Sequence, residues 1–301
     1  MTRATLAGWF TPSLRRGFAL AAVACVHAEV SAQLVVGVQS TSLPSSCYMY
    51  DFGTSVWQPV FRGVGVIALA ADDVAQRLYV GSVTGEFYHW NYSNLGSNTV
   101  PVQVGTFSPT VTALAWDSVA GRLYATTTAN EGIYEVNPST GGLTLVFDYV
   151  DLDYDFGGLD YNPADGKLYA TNDDTSPAAI GIGLYRIDIV AQTIEPVRRP
   201  YPTFVGAGTV TTPDIDGLAV GRIGVGPPKA YFVVDEPGEV AIFNLATLSD
   251  EPPISNPWTS ALNSSGGAWA NALPGAGIQA NVRVSITDVP DPVVPPGGTL
   301  T

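Results

Sequence analysis

Carboxylates are the side chains in this 301-residue sequence whose spacing suggests chemistry. Asp151, Asp153 and Asp155 alternate along Asp151-Leu152-Asp153-Tyr154-Asp155-Phe156-Gly157, as ligands do at the start of a calcium loop, and they mark a candidate calcium site. The match to an EF-hand loop is incomplete, because Gly157 comes one position late and the twelfth position is Asn162 where a bidentate Glu is required. In an extended strand alternate carboxylates stand about 6.5 to 7 Å apart, so one ion would need the loop to curl. Asn172-Asp173-Asp174 and Asp214-Ile215-Asp216 occupy comparable places further on, and carboxylates are expected to converge on one face. Asp160, Asp188 and Asp216 are the acids to weigh for glycoside hydrolysis, which needs a paired acid and base, yet they do not recur at a spacing that assigns those roles. No catalytic residue and no cofactor-binding motif is read here, and calcium is the one cofactor the residues admit.

Cys47 and His89 fall in equivalent stretches of a repeat, and read as core or edge positions rather than as nucleophile and base. The tryptophans Trp90, Trp116, Trp258 and Trp269 are of a type that stacks on sugars, but at repeated positions such rings more often fill cores.

Residues 1–32 have the layout of an export signal peptide. Arg3, Arg15 and Arg16 form the basic region, residues 17–26 are apolar, and Val30-Ser31-Ala32 is a small-residue cleavage site before Gln33. Arg15-Arg16-Gly17-Phe18 also admits a twin-arginine route. Removing this leader takes away Cys25 and His27, so the exported chain is expected to keep Cys47 and His89 as its single cysteine and histidine. That excludes an internal disulfide, a two-histidine zinc site and a Cys/His zinc cluster beyond one pair.

The elements that must position these groups follow from a repeat. VIALAADDVAQRLYVGS from Val66, VTALAWDSVAGRLYATT from Val111 and FGGLDYNPADGKLYATN from Phe156 succeed one another at an offset of 45 residues. A fourth copy, IDGLAV from Ile215 and KAYFVVD from Lys229, arrives late because 198–213 and the Gly/Pro-rich 221–228 lengthen it. Each copy parses into four short strands, as in 111–116, 122–126, 132–137 and 143–147, with Gly, Asn, Asp and Pro in the gaps. Four strands per repeat of this length indicate an all-β fold, a β-propeller of four-stranded blades. The recurrent Leu-Tyr pairs Leu78-Tyr79, Leu123-Tyr124 and Leu168-Tyr169 are then expected to pack between neighbouring blades.

The ends complete the ring. Residues 33–38, 47–52 and 57–61 supply three strands of a first unit, and Gly267-Ala268-Trp269-Ala270-Asn271 matches the leading strand GLDYN at Gly158, so the chain ends are expected to pair in one blade. The blades are then five: 33–62 with 264–273, 64–107, 108–150, 155–200 and 214–258. A six-bladed alternative adds strands from 279–287.

Composition agrees with such a body. Gly 32 and Pro 23 fit a chain of many turns, and charged residues at 13% with hydrophobic residues at 46% argue against disorder. Net charge is −14, which repels phosphate backbones and argues against nucleic acid as a partner. No run of 18 uncharged apolar residues follows the leader, so no membrane span is expected.

The repeat VTALAWDSVAGRLYATT with GIYEVNPSTGGLTLV resembles the secreted bacterial propellers of the quinoprotein and YVTN-like repeat type, over about 33–271. That resemblance implies the fold and carries little about function. The tail 281–301, NVRVSITDVPDPVVPPGGTLT, resembles the opening of a conserved-repeat, immunoglobulin-like domain of large bacterial surface proteins, and 274–301 is read as a linker and the truncated start of that sandwich. A Pro/Gly-rich disordered tail is the other reading. Together these imply an exported, non-enzymatic interaction or structural module of a larger bacterial surface or secreted protein, monomeric, with a protein or carbohydrate ligand of unknown identity. The alternative is a secreted hydrolase or lyase acting on a carbohydrate or lactone in the propeller channel.

Overall fold

The computed structural model describes residues 32–127, 129–152, 154–172, 181–200, 215–234, 239–255 and 264–273. The export signal (all but its last residue), the proposed sandwich start, the segment 279–287, Asp153, Asp173, Asp174, Asp214 and Trp258 lie outside them. In chain order the strands are β1 Gln33–Val38, β2 Cys47–Asp51, β3 Val56–Phe61, β4 Val66–Asp72, β5 Arg77–Ser82, β6 Glu86–Asn91, β7 Val102–Thr106, β8 Val111–Asp117, β9 Arg122–Thr127 and β10 Gly132–Val136. They continue as β11 Leu143–Asp148, β12 Phe156–Asn162, β13 Lys167–Asn172, β14 Gly183–Asp188, β15 Thr193–Arg198, β16 Gly217–Gly221, β17 Lys229–Val233, β18 Glu239–Asn244, β19 Ser249–Ser255 and β20 Ser264–Ala270.

They form five antiparallel four-stranded sheets, β20-β1-β2-β3, β4-β5-β6-β7, β8-β9-β10-β11, β12-β13-β14-β15 and β16-β17-β18-β19. The inner strands β20, β4, β8, β12 and β16 pack side by side in a closed ring, which is a five-bladed β-propeller. The chain ends share the first blade as expected, β20 pairing with β1. The register differs by one residue from the sequence expectation. Val35 pairs with Ala268 and Gln33 with Ala270, so Gly266-Gly267-Ala268-Trp269-Ala270 is the equivalent of Gly158 to Asn162. A slip of one would have moved Trp269 to the opposite sheet face, and the observed register puts it in the core, level with Trp116 and Tyr161.

Period-two alternation explains how the blades adhere. Leu78 packs towards the blade before it and Tyr79 towards the blade after it; Leu123 and Tyr124, then Leu168 and Tyr169, repeat the arrangement. Apolar cores therefore lie between successive blades rather than at one centre.

The axis itself is filled. At equivalent positions of the inner strands stand Ala68, Ala113, Gly158, Gly217 and Gly266, and the small side chains let the strands converge until no room for a water molecule remains between Leu69, Leu114, Leu159 and Leu218. A Cβ added at Gly267 would lie 2.8 Å from the carbonyl carbon and oxygen of Leu218. Closure is further secured by Asp73, in the turn after β4. Its carboxylate accepts from the backbone N–H of Asn271 (2.9 Å) and Ala272 (3.1 Å), the Asn271 amide (3.1 Å) and the Tyr92 hydroxyl (3.0 Å), so it holds the end of β20 to the next blade.

Two outcomes are expected in urea denaturation. Gly267→Ala should lose about 1–3 kcal/mol, since backbone rather than a side chain must yield. Asp73→Ala should lose about 1–3 kcal/mol through donors stranded at the joint, and an unchanged midpoint would contradict the latch.

Candidate functional site

Every inner strand runs in the same sense, so the strand ends gather at one mouth, here the upper, and the strand starts at the other, the lower. The upper mouth opens into a cavity of about 440 Å³ whose walls include Trp116, Tyr161, Trp269, Asp73, Arg222 and Asn271, with Asp160 at its base. The lower mouth is a smaller recess of about 130 Å³ between Thr112, Gly157, Asp155 and Asp216. The filled axis separates them.

Asp160 occupies a position where the other four blades carry alanine, namely Ala70, Ala115, Ala219 and Ala268. Its side chain accepts hydrogen bonds from the backbone N–H of Tyr161 at 2.8 Å and of Val220 at 2.6 Å, and also from that of Trp269. One carboxyl thus ties the inner strands of three blades together. Burial pushes its pKa up to about 8, against the opposing pull of those N–H groups.

The sequence-selected residues are distributed as follows. Asp155 and Asp216 both line the recess at the lower mouth. The backbone of Asp151 lies in a short 3₁₀ turn, Val150–Leu152. Asp188 binds Lys167 within its own blade. Cys47 is fully buried on β2, and burial raises its thiol pKa, which suppresses the nucleophilic thiolate. His89 lies on β6, its Nε2–H donating to the Pro138 carbonyl at 2.7 Å, and burial lowers its pKa. Trp90 fills the core between the first two blades, and Trp269 stacks on Tyr231 with centroids 4.9 Å apart.

What the carboxylate spacing did not reveal is a surface. The turns at the upper face repeat one design: an Asp or Asn carboxyl or amide oxygen accepts from the backbone N–H two and three residues on. Asp72 does so with Val74 and Ala75, Asp117 with Val119 and Ala120, and Asp188 with Val190 and Ala191. The residue two places on is valine after the inner strands β4 and β8 and after β14, and Gly53, Ser139, Ala164 or Ala246 in the other turns of this design. Val74 is 88% exposed, Val119 74% and Val190 95%, and in the longer turn of the last blade Val225 is fully exposed. The recurrent Asp-x-Val-Ala string was the signal available in the sequence.

The propeller is similar to a chain in the crystal structure of a nidogen–laminin complex, with a TM-score of 0.53 and 12% identity over 80% of this chain and 99% of that one. A structural-genomics protein of unknown function from Bacteroides thetaiotaomicron VPI-5482 aligns with a TM-score of 0.47 and 17% identity, over 74% of this chain and 58% of that one. At so low an identity the first likeness establishes fold alone. No family model and no curated protein matches the sequence.

The Asp160 site predicts a pH dependence. In the unfolded chain an Asp loses its proton near pH 4, whereas folded Asp160 keeps its proton up to about pH 8. The stability this group contributes is complete below about pH 4 and is lost as pH rises towards 8. The melting temperature of the wild type should therefore fall between pH 5 and 8 relative to Asp160→Asn; parallel curves would show that Asp160 is ionised in the fold.

Proposed function

We propose that this protein is an exported, non-enzymatic interaction module of a larger bacterial surface or secreted protein, and that it binds its partner protein through the upper face. One observation carries the reading: four turns of that face direct a valine to solvent, Val74, Val119 and Val225 after inner strands and Val190 after β14. Turn geometry asks for Asp or Asn and for a residue able to take positive φ, as at Gln76, Gly121 and Gln192, but nothing in it asks for a β-branched apolar side chain. Exposed apolar residues grouped on one face rather than scattered mark a contact surface. The neighbour of similar fold comes from the crystal structure of a nidogen–laminin complex, a protein–protein assembly, in keeping with this reading.

Two features weigh against hydrolysis or lyase chemistry in the channel. The axis is filled, and the two carboxyls lining the upper mouth are held by backbone N–H groups, Asp160 by strands of the ring and Asp73 by residues 271–272. Neither forms the acid and base pair that glycoside hydrolysis uses. Export rests on the leader sequence at 1–32 and the surface-protein context on 274–301.

The test is cross-linking of the purified protein to the surface and secreted proteins of its host, read by quantitative mass spectrometry. The triple variant Val74→Lys, Val119→Lys and Val225→Lys should reduce the captured partner at least tenfold while melting close to the wild type, since exposed turn positions change stability little. Val83→Lys, in a turn at the lower face, should leave capture unchanged. Turnover of a glycoside or lactone panel, or capture indifferent to the triple variant, would overturn the proposal.

A further inference from the structure

In the second to fifth blades the second strand opens with a cation: Arg77, Arg122, Lys167 and Lys229. Three of them are neutralised within their own blade. Arg122 binds Glu135 at 3.2 Å, Lys167 binds Asp188, and Lys229 binds Glu251 at 2.6 Å. Those carboxylates come from three different blade positions, which the strand registers locate in the blade of Arg77. Glu135 faces Tyr124 as His89 faces Tyr79, so His89 stands where Glu135 does. Asp188 follows Ile187, which faces Leu168, and so takes the place that Asn91 holds opposite Arg77. Glu251 faces Ile242 as Val102 faces His89. All three carboxylate positions are thus without a negative charge in this blade.

They also line one space. A cavity of about 200 Å³ on the blade's flank is bounded by Arg77, His89, Asn91, Asn94, Val100 and Val102. The Arg77 guanidinium has a contact with His89 Nδ1 at 3.3 Å, while its buried Nε–H has no hydrogen-bond partner. His89 is fixed for this role: its Nε2–H is committed to the Pro138 carbonyl, so Nδ1 presents a lone pair and not a second positive charge to the guanidinium. The outer wall is apolar, with Val100 54% and Val102 65% exposed, and the two asparagines add amide groups beside the cation.

We propose that this flank cavity binds a carboxylate carried on an apolar body, with the guanidinium edge of Arg77 taking the carboxylate and Val100 and Val102 the apolar part. An arginine presents a planar fork of donors that matches a carboxylate, so the ligand supplies what Glu135, Asp188 and Glu251 supply in the other blades. The ligand chemistry is shared by small aliphatic acids and by the C-terminus of a peptide ending in apolar residues. The site lies on the flank of the second blade, at the end where β5 begins and β6 finishes, and rests on other residues than the valines of the function proposed above.

Calorimetric titration of the full-length protein with butyrate, and with acetyl-Ala-Val-Val as its free acid and as its amide, tests this directly. Both acids should bind, and the amide should bind at least tenfold more weakly than the peptide acid. Arg77→Gln should weaken both acids at least tenfold, with folding verified by circular dichroism. His89→Glu, which installs the arrangement of Arg122 and Glu135, should abolish binding and raise the melting temperature, a gain that simple loss of structure cannot produce. A peptide acid at least tenfold tighter than butyrate assigns the site to chain termini, and equal affinity assigns it to small acids. Equal binding of acid and amide, no binding of either acid at millimolar concentration, or binding unchanged in either variant would overturn the proposal.

Discussion

The pairing of β20 with β1 is the interaction on which the rest of the molecule depends. Four blades laid side by side would leave an apolar flank bare at each end of the row, and a sheet edge open on the incomplete blade. Bringing the two chain ends into one sheet converts the row into a ring in which every blade has two neighbours. The interfaces that result are built by the simplest device a strand offers. Alternate side chains go to opposite faces, so Leu serves one interface and Tyr the next, and no disulfide is needed to hold a domain whose cysteine, Cys47, lies in one of those interfaces.

Ring geometry then decides where function can reside. Five strands around an axis converge closely, and Ala68, Ala113, Gly158, Gly217 and Gly266 let them do so. The cost is an axis filled between the inner strands; the gain is a rigid platform from which turns project. The same turns that let each chain segment reverse direction, held by Asp72, Asp117 and Asp188, present the valines of the upper face. The deviations between otherwise equal blades are informative in the same way. Asp160 in place of alanine stitches three blades at the base of the upper cavity, and His89 in place of a glutamate leaves Arg77 facing an open cavity.

How much of this was legible in the sequence depends on what each feature rests upon. Periodicity is a local property, so the repeat offset, the strands and the five blades were readable, and the Leu-Tyr pairs could be assigned to interfaces. Register is not local. Gly266, Gly267 and Ala268 offered too little side chain to fix the alignment, and only the pairing with Val35 and Gln33 set it; Trp269, matched to Trp116 and Tyr161, was the clue. Asp155 and Asp216 were picked out because they hold comparable places in their repeat units, and both line the lower recess. The importance of Asp160 was not, since its effect comes from N–H groups donated by β16 and β20, which lie in blades far along the chain from its own. The flank cavity was hidden for a related reason: it is defined by carboxylates that other blades possess, and recognising it required knowing which positions of different blades are equivalent.

The strand that completes the ring is also the last of those described to leave the ribosome. Until it appears, β1 has an unpaired edge and the first and last blades have uncovered apolar sides, so the growing chain cannot reach its final energy minimum. Blades two to five can form their own hairpins in order of synthesis, because their strands are neighbours in sequence. Only the first blade waits, with all four other blades lying in sequence between its three early strands and the one they need. Commitment to the native state is therefore deferred until β20 has been made, and a chain released before Ser264 carries a sticky edge in place of a closed ring.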